Sequence, residues 1–406
     1  MKKLFESHRP VRFVEGRGDP CGRPGTRGRP GTRGRPEIRF LRVTLLLFAL
    51  LLTWLLAACS SAPPTTAGSP QNSAGTRSAI TGTGSFREYP LPQSNDGLMR
   101  PAIDHEGRIW FGEMNRNKLA VFDPRTRSFQ QITPPHGQSG IMGVEVAADD
   151  TIWFAEQYAD YIGHYFPETG QFRIYPLPSM TVPDPSNAKK TLTLPSAPND
   201  LAIDAHGDIW FTELNAGAVG ELSTTTGHIT QFPLWTNRAQ AQQIDPYGIT
   251  VDAHGLIWFT EISGNRIGRL DSRNGTITYY SLPHGASAPM EIASDQQGTL
   301  WITSFSNNLL LSLNPRTGAL TPYYAPHGNS GSGSIYGVTV GTDNTIWITV
   351  SAQNVIARFD KISKRFVYYA IPTAGSLPLG IVAANHTLWF TEAGSDMIGM
   401  LQVSSS

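Results

Sequence analysis

Five glutamates close one recurring motif. The runs IWFGE, IWFAE, IWFTE, IWFTE and LWFTE end in Glu113, Glu156, Glu213, Glu261 and Glu392. Two further copies, LWITS and IWITV, carry Ser304 and Val350 instead. Carboxylates gathered in an arc can hold a hard cation such as Mg²⁺ or Ca²⁺, and Glu213, Glu261 and Glu392 are the candidate ligands. The competing role is local, each glutamate capping its own turn. Recurrence in five of seven copies favours a role in the repeat, and makes the last three copies the sector where chemistry would sit. A second series stands before the glycine position of P-x-G-I: Met99, Met142, Asn199, Tyr247, Met290, Tyr336 and Leu379. Methionines and phenols with one amide suit an organic ligand with flat or apolar parts. Trp235 lies outside the repeat pattern and either stacks on such a ligand or anchors its loop. Among the histidines, His105, His206, His254 and His386 read as turn residues. His136, His284 and His327 stand in Pro-His-Gly, also a turn sequence, but a loop folded inward would bring His327 toward Tyr336.

These residues need a scaffold that brings seven copies together. The motif tryptophans are Trp110, Trp153, Trp210, Trp258, Trp301, Trp347 and Trp389, mostly separated by 42 to 48 residues, with one gap of 57. That period suits a four-stranded propeller blade. The clearest unit, 246–283, reads GITVD, LIWFTE, RIGRLD and TITYYSLP between turn sequences rich in Gly, Asn and Asp. We name its strands A to D, from the axis outward. The expected fold is all-β, a seven-bladed propeller over 85–403 of four-stranded antiparallel blades. The last copy supplies only strands A to C, while the orphan run 85–92, SFREYPLP, matches strand D, so the N-terminal strand should complete blade 7 and close the ring. The tryptophans should form core between blades. Chain order puts the D-to-A and B-to-C connections on one face, where both residue series should converge around a central mouth. The longest D-to-A connections, 179–197 and 235–245, read as loops over that face.

The rest of the chain is addressing. Residues 43–58 are uncharged, follow Arg39 and Arg42, and end in Leu-Ala-Ala before Cys59. The run is short for a membrane-spanning helix and fits a signal-peptide core. Residues 43–59 therefore read as a lipoprotein signal with its lipobox, Cys59 as the lipidated residue, and 60–84 as a flexible tether. The localisation expected is extracytoplasmic, at the membrane through the lipid anchor alone. Residues 1–42, with GTRGRP repeats and a net charge of +8, cannot build a core and are read as a non-functional extension. The remainder carries −8, which argues against nucleic acid as a partner. Both cysteines, Cys21 and Cys59, precede the repeats, so the domain is held by packing without disulfides.

The blade pattern P-x-G-I…G-x-I-W-F-T-E…N-x-I-G-R…Y-x-[LI]-P resembles that of the virginiamycin B lyases, the streptogramin lyases, across the whole of 85–403. The resemblance implies a Mg²⁺-assisted elimination that opens a cyclic depsipeptide, with a histidine as general base. It places the two catalytic histidines at the slots held here by Tyr336 and Leu379, one metal glutamate at Leu377, and a second at Glu392. Base, second histidine and one metal ligand are thus replaced. The expected function is a monomeric binding propeller for a small organic ligand, a glycan or a peptide. The alternatives are a metal-dependent lyase or lactonase, streptogramin B lyase activity included, and a protein-docking scaffold.

Overall fold

A computed structural model describes residues 80–403 apart from 95, 138, 185–186, 236–242, 326–333 and 385. The signal segment, Cys59, the basic extension, most of the tether and His327 lie outside the described residues. Within them no helix is long and apolar enough to cross a membrane.

The chain builds seven four-stranded antiparallel blades. Six are continuous in sequence, spanning 98–132, 141–176, 198–233, 246–281, 289–324 and 335–370. The seventh takes Pro378–Ala384, Thr387–Glu392 and Met397–Val403 and is completed by Gly84–Pro90, whose Phe86 pairs with Leu401. First and last strands thus share one sheet, which removes the seam at which the ring would open. The sequence did not suggest one addition at this seam. Ile80–Thr81 runs parallel to strand D of blade 6, Ile80 opposite Val367, and covers that outer edge.

Each motif tryptophan packs against the following blade, as the alternation predicted. Trp301 joins Ile346 and Ile348 of blade 6, and Trp389 joins Leu98, Ile109 and Phe111 of blade 1. The sequence D-x-x-G-x-I-W fixes the indole. Asp252 Oδ1 accepts the backbone N–H groups of His254 and Leu256, forming the A-to-B turn, while Oδ2 accepts from Trp258 Nε1 at 2.8 Å. Asp104, Asp204 and Asp295 do the same for Trp110, Trp210 and Trp301. One acidic residue therefore shapes the turn and satisfies a buried indole that would otherwise lose its hydrogen bond. The glycine of strand C has an equally definite cause. A Cβ on Gly268 would lie 2.1 Å from Cζ of Phe259, so the ring of W-F-T-E lies flat on bare backbone.

The long connection after blade 2 is a correction to the loop expectation. Met180–Asp184 and Asn187–Leu194 pair as an antiparallel hairpin. Its alternating T-L-T-L run buries Val182 and Leu194 against Trp235, which gives a strand reason to form where turn residues alone suggested a loop.

Candidate functional site

The D-to-A and B-to-C connections do share a face. Met114, Gln157, Leu214, Ile262, Phe305, Ser351 and Ala393, each just past strand B, donate backbone N–H bonds to the connection entering strand A of their own blade. The residues at the mouth of strand A converge there, but they close the axis instead of lining an opening. Met99, Met142, Asn199, Tyr247, Met290, Tyr336 and Leu379 are all at most 7% exposed. Tyr247, Met290, Tyr336 and Leu379 form one apolar cluster, capped by Leu214, Ile262, Phe305, Leu377 and Ala393. The Tyr247 and Tyr336 hydroxyls bond across the axis, Gln157 Nε2 donates to Asn199 Oδ1 at 3.2 Å, and Asn199 Nδ2 donates to the Tyr247 carbonyl at 3.1 Å. The physical reason is size: seven medium or large side chains directed at one axis fill it.

The threonines of W-F-T-E tie this plug to the blades. Thr260 accepts from the Gly248 N–H at 2.9 Å and donates to the Met290 carbonyl of the next blade at 2.6 Å. Thr212, Thr303 and Thr349 repeat the second bond, to the Tyr247, Tyr336 and Leu379 carbonyls. These bonds join blades 3 to 7 in series.

The motif glutamates do not meet. They are fully buried inside separate blades, against strand C of their own sheet. Glu213 and Glu392 lie over Gly220 and Gly399. Glu113 and Glu213 accept from Gln131 and Gln231 of strand D, Glu261 from Arg266, and Glu392 from Ser395. Among the described residues Glu156 has no hydrogen-bond partner. Burial pushes all five carboxyls up to about 7. These partners are side chains, two on strand D, one at the start of strand C and one in the B-to-C turn, so the expectation that each glutamate caps its turn through backbone N–H groups is not met. Among the described residues no group of three or more His, Cys, Asp or Glu could hold a metal ion. The Mg²⁺ implied by the resemblance does not fit here: Leu377 and Leu379 offer no donor, and Glu392 is held within blade 7. Leu377 also stands at φ 50°, where blades 1 and 2 place Gly97 and Gly140.

The remaining candidates are turn and anchor residues. His105, His206, His254 and His386 are exposed in A-to-B turns, His284 is exposed after strand D, and His136 stacks on Tyr161 at 4.3 Å. Trp235 donates to the Ala216 carbonyl at 2.7 Å and packs on the hairpin, which makes it an anchor.

Beneath the plug lies an axial cavity of about 600 Å³, bounded by strand A of all seven blades. It runs to Ile103, Val146, Ile203, Val251, Ser294 and Val340, the partly exposed last residues of those strands, and so reaches the face of the A-to-B turns. Three charged residues that the sequence reading passed over stand at its inner end. In P-x-G-I the glycine slot holds Arg100, Asp200 and Glu291 in blades 1, 3 and 5. Arg100 Nε lies 2.8 and 2.9 Å from the Glu291 oxygens, Nη2 lies 2.6 Å from Oε1, and Asp200 Oδ1 is 3.4 Å from Nε. The guanidinium sits 4.8 Å from the Tyr247 ring centre. Burial works against the charge on Arg100, but Asp200 and Glu291 hold its pKa well above the ordinary value. Burial pushes Asp200 up to about 7 despite Arg100. Glu145, one blade away, is pushed up to about 8 by burial and then by Asp200. The available signal was the replacement of glycine by charge in three of seven equivalent positions.

The family model of the virginiamycin B lyase family matches residues 192–406, more than half of the chain. No curated protein sequence is a recognisable relative. Among solved structures, virginiamycin B lyase from Staphylococcus aureus is similar at 25% identity and a TM-score of 0.68, over 79% of this chain and 100% of that one. A streptogramin B lyase is similar at 27% identity, with a TM-score of 0.68, over 79% of this chain and 98% of that one. A catalytically inactive variant of the Staphylococcus aureus enzyme, solved with quinupristin, matches at 25% identity and a TM-score of 0.68, over 79% and 100%. Blade count, ring closure and the match of the repeat pattern agree, and the chain belongs to the virginiamycin B lyase family.

Proposed function

We propose that this protein is an extracytoplasmic, lipid-anchored propeller that binds a small organic molecule, or the end of a glycan or peptide, in its axial cavity, without the elimination that names its family. The observation that carries the reading is the pairing of a charged axial cavity with a sealed opposite face. The slots that the resemblance assigns to histidines hold Leu379, which has no titratable group, and Tyr336. Burial raises the Tyr336 hydroxyl well above its ordinary pKa, so it cannot accept a carbon-bound proton near neutral pH. The cavity is of the size that takes a drug-sized ligand.

The test is a thermal-shift screen of small organic molecules on the purified chain, with Ser294→Trp as the comparison. Ser294 is partly exposed at the open end of the cavity, and an indole there blocks access. Compounds should stabilise the parent and not the variant. Equal stabilisation of both, or none by any compound, refutes axial binding. Incubation with a streptogramin B and Mg²⁺ should leave the depsipeptide ring closed; turnover refutes the non-catalytic reading.

A further inference from the structure

The C-to-D turn of blade 6 departs from its counterparts. In blades 1 to 5 the tip of this turn is Arg125, Glu168, Thr225, Arg273 and Arg316, and Arg125 and Arg273 pair with Asp123 and Asp271 of their own turns. Blade 6 places Ile362 at the tip, 94% exposed, within the run Lys361-Ile362-Ser363-Lys364-Arg365. Asp360 Oδ1 accepts the backbone N–H groups of Ile362 and Ser363, both at 2.8 Å, which fixes the tip and engages the acid that opens the turn. Lys361 is tied to Asp295 at 3.2 Å. Lys364 and Arg365 are both exposed, Lys364 Nζ lying 5.6 Å from the Tyr323 ring centre. Positive charge thus stands beside an apolar tip, on the face to which the axial cavity opens.

A lone exposed isoleucine is ordinary on a protein surface, but this one also stands where the N-terminal segment joins the ring. Ile80–Thr81 runs parallel to strand D of blade 6, with Ile80 opposite Val367 and Thr81 opposite Tyr368. Strand D leaves the turn at Arg365, so Ile80 is the end of the added strand nearest the turn. Residues 60–79 connect it to Cys59 and reach at most about 70 Å. A lipid on Cys59 therefore draws this side of the ring to the bilayer, and tethering lets a patch too weak to bind lipid from solution engage it. We propose that the C-to-D turn of blade 6 is a membrane contact. Ile362 enters the headgroup region of an anionic bilayer, and Lys364 and Arg365 meet lipid phosphates. Close to such a surface each basic residue raises partitioning about fivefold.

This inference rests on the lipid anchor at Cys59 and is tested separately from it. The full chain, expressed with Cys21→Ser and purified in detergent, carries an environment-sensitive dye on Ser363→Cys or, for comparison, on Thr225→Cys at the same turn of blade 3. Each is reconstituted into vesicles of phosphatidylcholine with about 30% phosphatidylglycerol. The dye at position 363 should shift to the blue and be quenched by doxyl-labelled lipid, and the dye at position 225 should do neither. Ile362→Asp should abolish both signals. Lys364→Gln with Arg365→Gln should lower the ratio of contacting to free turn about fivefold per charge. Equal signals at the two positions, no signal at 363, or a signal that survives Ile362→Asp overturns the inference and leaves the anchor standing. So does an undiminished signal in phosphatidylcholine alone, or one that appears in the absence of lipid as protein concentration rises, which would mean that a second copy of the chain covers the turn. If the chain with Cys59 as its one cysteine takes up dye, no lipid blocks that thiol, and anchor and contact fall together.

Discussion

Glu156 offers the sharpest test of how this ring is held together. Its carboxylate is fully buried in blade 2 without a hydrogen-bond partner among the described residues, and burial alone raises its pKa from 4.5 to about 7. In the unfolded chain the group titrates near the ordinary glutamate value. Between the two pKa values the unfolded chain has already lost the proton that the folded chain retains. The protonated carboxyl therefore contributes stability in full below about pH 4.5, loses it as pH rises through about 7, and leaves a penalty above. At about 1.4 kcal/mol per pKa unit, the shift corresponds to about 3 kcal/mol at high pH. Glu156→Gln removes the charge and keeps the shape. It should change stability little at about pH 4.5 and raise it by about 2–3 kcal/mol at about pH 8.5. Urea unfolding of parent and variant at both pH values, followed by tryptophan fluorescence, measures the difference. A pH-independent difference would refute the reasoning, because it would mean that the carboxylate finds a partner or water when folded. The other four motif glutamates are raised in the same direction, so the parent itself should be less stable at alkaline than at mildly acidic pH.

Two further outcomes are expected. Phe86→Asp places a charge in the closing strand, where Phe86 meets Phe390 at 6.3 Å and packs on the core between blades 6 and 7; it should cost about 3 kcal/mol, and an unchanged denaturation midpoint would show that closure is not needed for stability. Cys59→Ser should move the protein from the membrane fraction to the soluble one in cell fractionation, whereas unchanged membrane retention would mean that something other than a lipid on this cysteine holds it.

The architecture was legible because the repeat states its own geometry. Seven copies of one tryptophan motif at a blade-length spacing, an orphan strand D at one end and a missing strand D at the other leave little choice but a closed ring. Turn chemistry was equally local: aspartates six residues before Trp110, Trp210, Trp258 and Trp301 shape the turns and hold the indoles. The 180–194 hairpin was less legible, since its strands become stable only against Trp235 and each other.

For the site, sequence determined which residues are equivalent, and tertiary structure decided what the equivalent positions do. Chain order placed Met99 through Leu379 around one axis, but only seven side chains of real volume meeting there show that the mouth is closed. The glutamates looked like an arc because they share a motif position. The structure turns each into its own blade, over a strand-C glycine or toward strand D, and so keeps them apart. Conversely, Arg100, Asp200 and Glu291 are 91 to 191 residues apart in pairs and follow no motif of their own. Nothing local joins them. The circular arrangement of the blades brings three glycine slots to one axis, and charge attraction across that small radius does the rest.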